Sequence, residues 1–224
     1  MEQNKNIMIM SDANSGPEIC QGMSRGAPVR ALPAHGSVKL DGKLTLMRGR
    51  VHEVTGHSAD ILALALASAL TGVVIWIGNR RQITSLTPTG IHPFVDPARV
   101  LLVIGNDRRE ILWASEQALR TVGVACVIIE LSEGPDLTES RRLQIASEDS
   151  GATGLVLVSG HTQTSAAQTR WQCSSVAESN ADWIWRCQKN KRDRLSHWKA
   201  RWQGGAYGRT AKAGRFHLDA TSAP

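Results

Sequence analysis

The sequence holds no CxxC pair, no GxxxxGK[ST] phosphate loop and no lysine between Lys43 and Lys189. Each gap excludes something. The four cysteines, Cys20, Cys126, Cys173 and Cys187, stand far apart, which argues against a disulfide framework or a zinc site and suits a reducing cytosol. The seven histidines, at 35, 52, 57, 92, 161, 197 and 217, have no metal spacing. His57 and Ser58 adjoin, but sequence neighbours rarely face one another, so no nucleophilic constellation forms. The first residues, with Glu2 and Asp12 and no long apolar block, do not read as a secretory signal. Wholesale disorder is excluded as well: 42% of the 224 residues are apolar and 21% charged, ordinary globular usage with enough chain for a buried core.

Ile61 to Gly78 runs uncharged for 18 residues, the lower limit for a membrane span. Its first half is Ala/Leu-rich and its second half is β-branched with Trp76, separated by Thr71-Gly72. A buried helix followed by a buried strand explains both halves, so no membrane span is expected.

Around this stretch strands and helices alternate. Strands are expected at Val51–Thr55, Val73–Ile77, Val100–Ile104, Ala125–Ile129 and Leu155–Val158, with a last one near Thr169–Gln172. One helix follows Asp107 in a capping-box spacing with Glu110. It places Ile111, Leu112, Ser115, Ala118, Leu119 and Val122 on one face and stops at Gly123. Another runs from Leu137 to Ser150, capped by Asp136 and ended by Gly151. The pattern implies an α/β fold with a mostly parallel sheet flanked by helices. Residues 1–30 read as a flexible lead-in, 31–175 as the core domain, and 176–224 as a basic Trp/Arg-rich extension, disordered after about 204.

In such a fold the first strand-to-helix turn is where phosphate binds. Here it reads Thr55-Gly56-His57-Ser58-Ala59-Asp60, with Gly56 in place but the second glycine, the lysine and the magnesium-binding hydroxyl missing. The loop is degenerate, and neither a cofactor nor a metal is expected at Gly56, His57 and Ser58. Glu130 ends a hydrophobic strand, where an acid would hold magnesium; without a phosphate loop it reads as a solvated residue.

Charge is unevenly placed. Residues 186–224 carry 10 Lys/Arg against Asp193 and Asp219, a local net of +8, whereas residues 1–185 carry 16 against 18. Such asymmetry points to a polyanion or an acidic partner. Five of the seven tryptophans lie in the same third, at Trp171, Trp183, Trp185, Trp198 and Trp202, among Arg186, Lys189, Lys191, Arg192, Arg194, Lys199 and Arg201. Three readings stand open: bases stacking on the aromatics, tryptophan and arginine anchors docking a protein, or an amphipathic helix lying on the domain. Trp198 and Trp202, four residues apart, would share one helix face. Arg141 and Arg142 are either a solvated helix face or a partner contact.

With these motifs in view, the chain resembles a RecA-like core, and more specifically the ImuA family of bacterial translesion-mutagenesis proteins. The resemblance lies in Leu32-Pro33, the HEVTG turn (His52–Gly56), the VIWI strand, LWASEQALR (Leu112–Arg120), VIIEL (Val127–Leu131), DLTESRRLQIASEDSG (Asp136–Gly151) and SAAQTRW (Ser165–Trp171). It implies a cytoplasmic, nucleoid-associated, non-enzymatic accessory factor of translesion synthesis without a Walker lysine. The implied partners are an ImuB-like inactive polymerase and an error-prone replicative-type polymerase, with RecA and DNA as further candidates. Two alternatives are a SulA-like division inhibitor, which would be expected to lack the basic extension, and an ATP-dependent RecA-type DNA-binding protein.

Overall fold

A computed structural model describes residues 7–9, 36–177, 179, 181–204 and 215–221. Its strands are β1 (Ile7–Ile9), β2 (Ser37–Leu40), β3 (Leu44–Met47), β4 (Val51–Thr55), β5 (Val73–Gly78), β6 (Val100–Ile104), β7 (Val124–Leu131), β8 (Thr153–Val158), β9 (Thr169–Ser175), β10 (Asp182–Asn190), β11 (His197–Gln203) and β12 (Arg215–Ala220). Its helices are α1 (Ala59–Ala69), α2 (Arg80–Ser85), α3 (Pro88–Ile91), α4 (Arg108–Arg120) and α5 (Leu137–Ser150).

Ten strands form one mixed sheet in the order β1-β6-β5-β7-β8-β4-β9-β10-β11-β12. Pairing is parallel from β1 to β9 and antiparallel from β9 to β12. The central parallel strands are apolar throughout because helices cover both faces: β8 is buried at every residue. On one face α4 and α5 seat Ile111, Ala118, Leu119, Leu143 and Ala146 against Val127, Ile129 and Val156. On the other lies α1, whose residues Leu62 to Ala67 are all buried. A helix apolar all round must be covered all round. Its second cover is the β2–β3 hairpin, which contributes Val38, Leu40, Leu44 and Leu46 to the same core. This packing accounts for the uncharged run, and among the described residues no helix is long and apolar enough to cross a membrane.

Local signals place most helix ends as expected. Asp136 and Glu139 complete a capping box, and Gly151 ends α5 in the left-handed conformation. At α4 only half of the expected box forms: Asp107 accepts from the Glu110 amide, while Glu110 turns to the Asn106 amide. That helix stops at Arg120, so Val122 lies beyond it and is 56% exposed.

The larger differences are at the ends. Ile7–Ile9, inside the expected lead-in, forms an edge strand beside β6; the rest of residues 1–30 lies outside the described residues. Past 175 the chain does not turn into a helix. It continues the sheet as β10, β11 and β12, and the expected boundary between 175 and 176 falls inside one run of antiparallel pairing. Residues 215–220, expected to be disordered, form the last strand, while 205–214 lie outside the described residues. The edge of β12 is covered at Leu218, whose amide donates to Asp41 Oδ2 at 2.9 Å and whose carbonyl accepts from Lys43 Nζ. A paired edge offers less of a template for unwanted strands.

Candidate functional site

The β4–α1 turn is tight and tied down. Gly56 has φ +94°, and a Cβ there would lie 2.0 Å from the Cys173 carbonyl oxygen, so only glycine fits against β9. His57 Nε2 meets Ser175 Oγ at 2.9 Å and accepts the Ser175 amide at 3.2 Å, a second tie to β9. The turn consumes amides a phosphate would need: Ala59 N donates to Gly56 O and Ile61 N to Ser58 O. Ser58, at the N-cap of α1, makes no side-chain cap. The anion at this helix start is Asp60. Its carboxyl is pushed up by burial, while the amides of residues 60 and 61 and the nearby His57 pull it back.

Glu130 is not solvated as expected. It is half-buried, and its Oε1 accepts the indole N–H of buried Trp76 at 2.7 Å. Burial raises its carboxyl and the charge of Asp60 adds to the shift, against the Trp76 hydrogen bond. Among the described residues no group of three or more His, Cys, Asp or Glu could hold a metal ion.

Period-two alternation sorts the C-terminal side chains into two faces. Trp171, Trp183 and Trp185 are buried with Phe216 and Leu218. Trp198 and Trp202 are half-buried against that core, and Trp202 packs 4.7 Å from Phe94 and 4.9 Å from Phe216. The expected helical anchor pair is therefore one inward row of β11, and all five tryptophans are core or core-bordering residues.

The basic residues divide into pinned and free. Lys189 Nζ donates to Ser165 O at 2.8 Å and Lys191 Nζ to Ala166 O at 2.6 Å, holding down the loop between β8 and β9. Lys199 and Arg201 converge on Asp182 at 3.1 and 2.8 Å, and the hydrogen bond from Arg201 holds that carboxyl below its usual range. Among the described residues Arg186, Arg192 and Arg194 make no ion pair. On the helical face Arg142 clasps Glu116 at 2.8 Å, whereas Arg141 is exposed and makes no ion pair among the described residues. The β8–β9 loop joins α5 to the tail cations: Ala166 accepts from Lys191 Nζ and donates its amide to Ser140 Oγ, one residue before Arg141.

Sequence reading missed two buried polar groups of β4. His52, wholly buried, receives the Thr169 hydroxyl on Nδ1 at 2.7 Å and donates from Nε2 to Met47 O at 3.0 Å; burial drops its pKa to about 4. Glu53, 1% exposed, pairs with Arg170 Nε at 2.7 Å, and Arg170 also donates to Gln163 O in the β8–β9 loop. Both pairs span 117 residues, so no local pattern announces them.

No protein-family model matches the chain. It is similar to Protein ImuA. Relatives of that name from Caulobacter vibrioides, strain NA1000 / CB15N and strain ATCC 19089 / CIP 103742 / CB 15, are each 33% identical to it over 126 residues. The match covers 54% of this chain and 50% of each ImuA protein, so the chain spans about half the length of the curated relatives it matches. An ImuA-family relationship is supported to that extent.

Proposed function

We propose that the chain is a non-catalytic accessory protein of damage-induced mutagenesis, built on a RecA-like core whose phosphate loop has degenerated. The similarity to Protein ImuA over 126 residues carries this reading. The β4–α1 turn supports the inert part. Gly56 is wedged on Cys173, the lysine is absent, and Asp60 stands at the helix start that an incoming phosphate would need. The parallel strands with helices on both faces support the RecA-like core.

The role is docking. The partners are an ImuB-like inactive polymerase and an error-prone replicative-type polymerase, with RecA as a third. The contact surface lies on the C-terminal strands and the exposed arginines of α5. It is led by Arg186, Arg192, Arg194 and Arg141 rather than by the tryptophans, which the core occupies.

The deciding experiment is co-purification of the tagged full chain with the ImuB-like protein and the polymerase from one co-expression strain. Stoichiometric recovery of both is expected. A chain that recovers neither, yet hydrolyses Mg-ATP, refutes the reading.

A further inference from the structure

Among the described residues, the sheet from β10 onward has one face packed and one face that no helix covers. The packed face holds Trp183, Trp185 and Phe216. The opposite face is the side that α4 and α5 cover over β4, β7 and β8, but those helices stop short of the antiparallel strands. It carries Arg186, Gln188, Lys199, Arg201, Arg215 and His217, all exposed or half-buried, with one exposed acid, Asp219, opposite Lys199. The described residues from 182 onward hold eight Lys/Arg against Asp182, Asp193 and Asp219. Asp182 is itself 8% exposed beneath Lys199 and Arg201, so it neutralises charge without presenting an acid to a ligand. The β10–β11 hairpin adds exposed Arg192 and Arg194.

We infer that this bare cationic sheet face binds the sugar–phosphate backbone of DNA, without reading bases. The inference rests on the C-terminal strands being the contact surface and adds the class of ligand they take. Two absences on the face select the ligand. Protein interfaces are built around clusters of buried aromatic and apolar anchors; here half-buried Ile184 on the face and exposed Leu195 on the hairpin stand apart without an aromatic beside them on that surface. Single-strand sites add base stacking on aromatics, and every tryptophan of the region points into the core or borders it. What remains is positive charge on a polar surface, the composition of DNA-contacting surfaces. Attraction by charge alone favours the duplex, whose charge density is higher than that of a single strand.

The test is fluorescence anisotropy of the full chain with a labelled 24-base-pair duplex and an oligo(dT) of equal length, from about 50 to 200 mM salt. Tighter binding to the duplex is expected. About four phosphate contacts would weaken it roughly a hundredfold across that range. Arg186→Glu with Arg194→Glu should cost more than tenfold in affinity, and the milder pair Arg192→Gln with Arg194→Gln, on the exposed hairpin, several-fold with an unchanged melting temperature. Absence of duplex binding at the lowest salt overturns the inference, as does a clear preference for oligo(dT). So does binding of a polyglutamate peptide by a chain that ignores DNA, which would assign the face to an acidic protein. A charge-reversed chain that loses DNA but still recovers the polymerase-like partner supports DNA binding and removes Arg186 and Arg194 from the docking surface. A wild-type chain that binds duplex but recovers no partner sinks the docking role alone.

Discussion

Lowering the pH from about 7.5 to 5 should destabilise this protein through His52. The ring is fully buried, its Nε2–H donates to Met47 O, and its Nδ1 accepts a hydrogen bond from the Thr169 hydroxyl, which itself accepts the Trp171 indole N–H at 2.8 Å. Protonating Nδ1 would turn two donors on each other in a site with no water contact. Accordingly the folded ring titrates at about 4 instead of 6.5. The unfolded chain takes up the proton below about 6.5 and the folded chain only below about 4, so stability is full above the first value and is lost as pH falls toward the second. The gap corresponds to roughly 3 kcal/mol in all, of which about 2 kcal/mol is gone by pH 5. That is a large share of a typical folding free energy of about 5–15 kcal/mol. Urea unfolding at both pH values measures it, with His52→Gln as the control that keeps a donor and an acceptor but does not titrate. The wild type should lose about 2 kcal/mol more than the variant between the two conditions. Equal losses, within half a kcal/mol, would refute the assignment of His52 as a buried neutral ring.

Four further outcomes are expected. Mg-ATP at millimolar concentration should leave the melting temperature unchanged, whereas a site occupied at 100 times its Kd would stabilise by about 2.7 kcal/mol, readily seen by thermal shift. Leu119→Ala, at a wholly buried position of α4, should cost about 2–5 kcal/mol in denaturant titration, and a cost below half a kcal/mol would show the face to be misplaced. Gly56→Ala should destabilise by more than about 1 kcal/mol through positive φ and the Cys173 carbonyl, read by the same titration; a neutral result would mean the turn is not wedged. Truncation before Trp183, which sequence reading expects to leave a folded core, should instead abolish cooperative unfolding, because it removes Trp185 and Phe216 from the core and bares β9. A truncated chain with a wild-type melting transition contradicts the sheet assignment.

Local chemistry legible in the chain accounts for the central fold. Asp136 with Glu139, and Gly151 fourteen residues after Leu137, bracket α5 because caps act within one turn. The unbroken apolar runs of β7 and β8 announce strands covered on both sides. The missing lysine and second glycine of the β4–α1 turn are visible without any coordinates, and so is the excess of positive charge after residue 185.

What the chain alone left undecided has one physical cause: spacing does not say which element satisfies it. Trp198 and Trp202 are four apart, which is one face of a helix and equally one face of a strand, since four is even. Only pairing of Trp198 with Trp185 and of Trp202 with Phe216 settles the choice, and it turns candidate anchors into core. Glu130 looked solvated because the chain does not show that Trp76, 54 residues earlier, reaches it. His52 with Thr169 and Glu53 with Arg170 depend on β4 and β9 becoming neighbours, a parallel pairing made across more than a hundred residues. Composition thus determined the layers, the caps and the sign of the charge. Tertiary pairing decided which residues are buried partners and which face of the last four strands meets solvent, because burial belongs to neighbours that the order of residues does not name.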